Sequence, residues 1–151
     1  MKKSNIFSSK NNRKIDPNWF TDKVNMKDIS TEIKSPDHGI YHVYFHNGAK
    51  TKLHIHNGNQ ILIATKGKGV LEIFRKVGSK KNNFKIKKVK TISLKEGDTV
   101  HIPAKTLHTH GSVDKNRFFS HIAINISPRK NSEYKTTWYE SDFKSNVTDV
   151  I

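Results

Sequence analysis

The sequence predicts an all-β fold, an antiparallel barrel or sandwich, and three observations predict it. Apolar residues fall in short β-branched runs, Gly, Asn, Asp or Pro stands at nearly every junction between runs, and no long amphipathic window supports a helix. Short strands at even spacing are the signature of such folds. The chain has 151 residues, enough for one domain that buries about two-thirds of its unfolded surface. Its mean hydropathy is −0.73 and 33% of its residues are hydrophobic, so one core with polar ends is expected.

Residues 1–17 are polar, basic and aperiodic, which predicts a flexible N-terminal arm ahead of a single domain over 18–151. Strands are expected at 40–46, 51–56, 60–65, 69–77, 84–94, 98–102, 107–110 and 117–126. The second and third are separated by the turn "NGN". The glycines of "TKGKG" read as a hairpin turn between the third and fourth, since the spacing of a phosphate loop is missing. Gly78 to Asn83 reads as the connection of a long hairpin, and Pro103 as the turn before the seventh strand. The stretch from Asn131 is expected to supply one short helix or a docking strand.

Composition removes several function classes. Without cysteine there are no disulfides, thiolate nucleophiles or Cys-based zinc sites, and His, Asp, Glu, Asn and Gln remain as metal ligands. "MKKSNIFSSKNNRK" has the charges of a secretory signal but no apolar stretch after them, and the longest apolar run, Ile61 to Ala64, is far too short for a membrane span. The reading is a soluble, cytoplasmic chain that does not engage a membrane. A net charge of +15 invites a nucleic-acid partner. Nine basic and no acidic residues lie between Arg75 and Lys95, but "FKIKKVKTI" alternates like a strand with one solvated lysine face that protects an edge. No helix-turn-helix, RNP aromatic pair or zinc finger accompanies the charge, so nucleic acid is not the expected partner.

The chemistry lies in the histidines. His54 and His56 are two residues apart on an expected strand, so both point to one face about 6.5–7 Å apart, close enough to converge on one ion. Gln60 lies across the turn, at the start of the returning strand. Downstream, "GDTVHIPAKTLHTHG" offers His101, His108 and His110. Five of the nine histidines thus fall in two strand-turn-strand segments able to face each other across a barrel.

On these residues the chain resembles a single-domain cupin, a double-stranded β-helix of jelly-roll type. Gly48, His54, His56 and Gly67 match the first cupin motif in register, and Gly97, Pro103 and His108 match the second. Gln60 stands at the usual Glu position, Lys105 at a Gly and Ser112 at an Asn. Gln60, the "HTHG" that ends the second motif, the following "HIAI", the early "WFT" and the late "TTWYE" are similar to the carboxymuconolactone decarboxylase-associated cupin subset.

The resemblance implies His54, His56, Gln60 and His108 as ligands of a divalent transition metal, one of Mn, Fe, Ni, Zn, Co or Cu, which donor types alone do not distinguish. It implies His110 as the catalytic residue beside the ion, with His101 and His121 lining the cavity or buried in the core. Three neutral imidazoles and a neutral amide leave the ion its full charge, which favours a small anionic carboxylate or enol substrate. An isomerase, lyase or dioxygenase is expected, with a non-catalytic sensor of a small molecule or metal as the alternative, and a homodimer as the assembly.

Overall fold

Residues 1–78, 83–139 and 146–150 are described in a computed structural model of the chain. Alternation dominates the strands that carry the core. In β2 (His38–Phe45), Val43 and Phe45 are buried in the main core. β2 lies between β1 (Val24–Asp28) and β8 (Phe119–Ile126), antiparallel to both. Between β1 and β2, Asp28 caps a single helical turn, α1 (Ile29–Glu32), by accepting from the Thr31 amide at 3.0 Å.

The longest strand, β4 (Asn59–Val77), organises the rest. Its first half pairs with β6 (Thr99–Ile102) and β8, and its second half with β5 (Asn83–Lys95) and β7 (Leu107–Ser112). The main ladder order is β1-β2-β8-β4-β7-β3-β9, where β3 is His54–His56 and β9 is Thr136–Trp138. The sheet curls around a core that includes Phe45, Leu62, Leu71, Ile102 and Phe119. One pairing departs from the antiparallel rule: β10 (Asn146–Val150) runs parallel to β5.

The hairpin turn expected at "TKGKG" does not form, because β4 passes straight through it. The two glycines serve close approach instead. A side chain at Gly67, where φ is +77°, would strike the Phe118 carbonyl, and one at Gly69 would strike the Phe119 ring. A register shift between Ala64 and Lys66 lets the strand change partners. β1 and α1 are further departures, since no strand or helix was expected before residue 40. The long hairpin forms as expected, although its connection at 79–82 lies outside the described residues.

Residues 1–17, expected as a flexible arm, make specific contacts. Asn12 bridges to Lys27, the Arg13 amide donates to the Met26 carbonyl at 2.8 Å, and buried Ser9 bonds to Glu32. The Ile6 carbonyl meets Nδ1 of His42 at 3.1 Å. Among the described residues, no helix is long and apolar enough to cross a membrane.

Candidate metal centre

β3 and β7 bring the first and second histidine pairs together. His54 is the register partner of His108, and the rings of the two lie 4.2 Å apart. His56 is 4.9 Å from His54 and 5.3 Å from His108 by ring centroid. His110, two residues past His108, shares its face, with a centroid 5.5 Å from that of His54. One ring nitrogen each of His54, His108 and His110 lie within 4.8 Å of one another, so this triad could hold a metal. Gln60 enters from the start of β4 and is also buried.

Backbone carbonyls set the tautomer of two of these rings. His54 Nδ1 donates to the Lys52 carbonyl and His108 Nδ1 to the Thr106 carbonyl, each at 2.7 Å. A carbonyl can only accept, so Nδ1 carries the proton and Nε2 keeps its lone pair. His56 Nδ1 contacts the Thr136 hydroxyl at 2.8 Å, and His110 Nδ1 contacts His121 Nε2 at 3.1 Å. In all four rings Nδ1 has a partner, and in His56 and His108 Nε2 is buried without one.

Unpartnered buried atoms concentrate at the same place. Nε2 of His56, Nε2 of His108 and Oε1 of Gln60 are shielded from solvent without a hydrogen-bond partner. Gln60 is oriented by its own amide, whose Nε2 donates to Asn125 Oδ1 at 2.8 Å and so turns Oε1 the other way. Leaving one such group unsatisfied costs about 1–3 kcal/mol. Gln60 Oε1 and His108 Nε2 can only accept, and His56 Nε2 joins them in the tautomer whose Nδ1 donates to Thr136, so a cation could take an electron pair from each.

The electrostatics agree with that fit. Burial, reinforced by the neighbouring His108, lowers the pKa of His56 to about 3, and burial lowers that of His108 to about 4. His54 and His110 are held well below the usual imidazole range, first by burial and then by their histidine neighbours. Near neutral pH the cluster is uncharged and offers lone pairs without first losing protons.

Aromatic residues from the two ends of the chain roof the site. Trp19 and Trp138 stack at 5.2 Å with planes 5° apart, and Trp138 lies 4.4 Å from His54. Trp19 of "WFT" and Trp138 of "TTWYE" therefore meet over the first histidine. A cavity of about 540 Å³ opens beside them, lined by His54, His56, Gln60, His110 and His121 among others.

His121 is fully buried and reaches His110, whereas His101 is exposed and lines no part of this cavity. On β6 the inward position belongs to Ile102, which turns His101 to solvent. Ser112 is fully buried and donates to the Arg117 carbonyl at 3.1 Å, closing the loop before β8. Sequence reasoning missed Arg13, Asn125 and Tyr134, which also border the cavity. Asn125 is the register partner of Gln60 across β4 and β8, a pairing that only the fold reveals.

A family model described as Cupin matches residues 6–149. Among solved structures, the chain is similar to a cupin-like protein from Thermotoga maritima, with 27% identity and a TM-score of 0.65 over 92% of this chain and 97% of that one. The polyketide cyclase RemF from Streptomyces resistomycificus aligns over 94% of this chain and 89% of its own, at 12% identity and a TM-score of 0.66. A variant of Bacillus subtilis oxalate decarboxylase aligns at 21% identity and a TM-score of 0.54, over 76% of this chain and 27% of that chain. The last two likenesses concern the fold alone. No curated protein matches by sequence.

Proposed function

Because the chain belongs to the cupin family, we propose that it is a metal-dependent cupin enzyme acting on a small, anionic, oxygen-rich substrate, a carboxylate or an enol. His54, His56, Gln60 and His108 would hold one divalent transition metal. What supports this set is the group of unpartnered donor atoms on His56, Gln60 and His108, beside a His54 ring whose Nδ1 is already spent on a carbonyl. When bound, the ion would act as a Lewis acid toward a carbonyl or enolate oxygen. The chain's own residues supply the rest. His110 holds or moves a proton at its inner nitrogen, positioned from behind by His121. The tryptophan pair excludes water from one side.

One distance favours a second ligand set, His54, His108 and His110. Elemental analysis of two single variants decides between them. Under the first set His56→Ala loses the metal and His110→Ala keeps about one ion per chain, and the second set predicts the reverse. Full metal content in a folded His54→Ala, His56→Ala double variant would sink the site altogether.

Gln60, "HTHG" and "HIAI" support membership of the carboxymuconolactone decarboxylase-associated subset, and isomerase, lyase or dioxygenase chemistry. A cytoplasmic homodimer completes the reading. Turnover of a small carboxylate or enol separates it from a non-catalytic sensor.

A further inference from the structure

The cavity is much larger than a small oxygen-rich anion needs. Its volume of about 540 Å³ lies within the range of about 300–1,000 Å³ in which pockets take drug-sized ligands. Its walls include Trp19, Phe20, Met26, Val43, Phe45 and Trp138. Such a lining gains little from a two-carbon dicarboxylate and a good deal from a flat apolar body.

Two polar groups border this cavity without a protein partner that explains them. Arg13 reaches it from the N-terminal segment, its guanidinium 4.7 Å from the centre of the Tyr41 ring and its Nη1 3.6 Å from Met26 Sδ. Among the described residues no carboxylate forms an ion pair with it. Asp28 feels its charge but is occupied by Ser30 and Thr31. The second group is Tyr134, whose ring lies 5.0 Å from that of His56. Its hydroxyl is buried with no hydrogen-bond partner. A phenol is protonated near pH 7, so this unpartnered hydroxyl has a proton to donate. Glu133, the carboxylate on the rim, lies 3.9 Å from Lys135 and is paired with it.

Depth orders these features. The histidines are nearly inaccessible and Arg13 is exposed, and half-buried Tyr134 lies between them, against His56 on one side and near Tyr41, the ring under Arg13, on the other. An entering molecule therefore presents one end to the histidines while its trailing end meets solvent beside the guanidinium. We infer that the cavity takes a planar, apolar-bodied acid, with oxygen donors leading toward the histidine site and a trailing carboxylate read by Arg13 and Tyr134. This rests on the metal reading above, keeps its anionic oxygen donors, replaces the small substrate with a larger apolar-bodied one, and adds two specificity-determining residues. Arg13 supplies a fork that matches a carboxylate, pre-set by its stack on Tyr41.

The test uses the full chain loaded with Mn²⁺ or Fe²⁺ and two probes, caffeate and its methyl ester, followed by calorimetry near pH 7. Both carry a catechol and a flat body, and only caffeate has the trailing charge. Wild type should prefer caffeate by about tenfold or more, as expected for a charge-assisted hydrogen bond. Arg13→Gln should bring the ratio to about one with ester affinity unchanged, and Arg13→Lys should retain part of it. Tyr134→Phe should weaken caffeate about three- to tenfold and spare the ester. Equal affinity for the two probes in wild type, or a preference that survives Arg13→Gln, overturns the assignment while leaving the metal reading intact. Absent binding of both probes to metal-loaded protein likewise overturns the assignment alone, whereas failure to load metal, or binding that is the same with and without it, sinks the metal reading and this assignment with it.

Discussion

The β3–β7 pair and the β4–β5 hairpin belong to the same curled sheet, yet they handle charge in opposite ways. On β7, five of six residues are buried, and the buried polar ones include His108 and His110. On β5, Phe84, Ile86 and Leu94 are buried while every described lysine is exposed. The net charge of +15 is thus spread over a solvated surface, and the interior cluster is uncharged near neutral pH. Glu72 joins the two regions. It lies 2.5 Å from Lys88 and 3.6 Å from Lys50, and its other side accepts from the Thr109 hydroxyl at 3.3 Å, between the two β7 histidines. The chain's most conspicuous compositional feature is therefore a poor guide to where its chemistry sits.

Acidification should separate the regions most strongly. The folded-state pKa values of His56 and His121 are lowered to about 3, and that of His108 to about 4, below the unfolded value of about 6.5. Below pH 6.5 the unfolded chain binds more protons than the folded one. The stability of the metal-free protein is thus complete above that pH and lost as pH falls toward the folded values. At pH 5 each such imidazole contributes a loss of about 2 kcal/mol. Thermal melts of metal-free protein at pH 7.5 and 5.0 should differ by well over 10 °C, with bound metal reducing the difference. Equal midpoints would mean that the cluster is not dry.

Gln60→Glu comes next, because it adds to the site the charge the sequence withholds. The metal should be held more tightly near pH 7, since a carboxylate donates better than an amide. Oxalate, a small anionic probe, should bind roughly tenfold more weakly to a centre with one less positive charge. A carboxylate at Gln60 faces Asn125 Oδ1 at the present 2.8 Å contact. The Asn125 amide must therefore rotate to donate, and Gln60→Glu with Asn125→Leu should lose metal that the single variant keeps. Unchanged oxalate affinity by calorimetry across pH 6 to 8 would count against the preference for an anionic substrate.

Much of this arrangement was legible in the residues. The strand at 40–46 was expected close to β2, and the His-x-His spacing put His54 with His56 and His108 with His110 on shared faces, because a period of two fixes facing once a strand exists. "TKGKG" misled because glycine serves a turn and a close approach equally well. What separates the two is the Phe119 ring against Gly69, a contact about 50 residues distant in sequence. Arg13 and Tyr134 gave no signal, since aperiodic segments reveal nothing of what they fold against. His101 read like its neighbours, and only the pairing of β6 with β4 turned it outward.

Lys105 sharpens the comparison with a smaller effect, as a lysine at the site end of the sheet. It occupies the cupin glycine position with φ of +63°, and its amide donates to the His56 carbonyl at 2.7 Å. A residue with a Cβ is strained by about 1 kcal/mol or more in that region. Lys105→Gly relieves this but loosens the unfolded chain, so a net gain of about 0.5–1 kcal/mol is expected in urea unfolding. A loss would mean that the lysine stem packs usefully where it stands.

The smallest effect is expected on the hairpin itself. Lys87 and Lys90 face solvent on β5, opposite Arg75 and Ile73 of β4, and neither has a described ion-pair partner. Changing both to Gln removes charge without exposing apolar surface or leaving a buried group unpaired. Stability should stay within about 0.5 kcal/mol, and metal content and probe binding should be unchanged. The same variant tests whether the lysines serve anything beyond solubility. If the native protein bound RNA or DNA with a steep loss on adding salt, and the double change flattened the slope by about 0.7–0.9 per lost phosphate contact, the hairpin would be a second functional surface. A salt-independent or undetectable interaction in both forms keeps it what its geometry makes it, the charged cover of a sheet whose chemistry faces the other way.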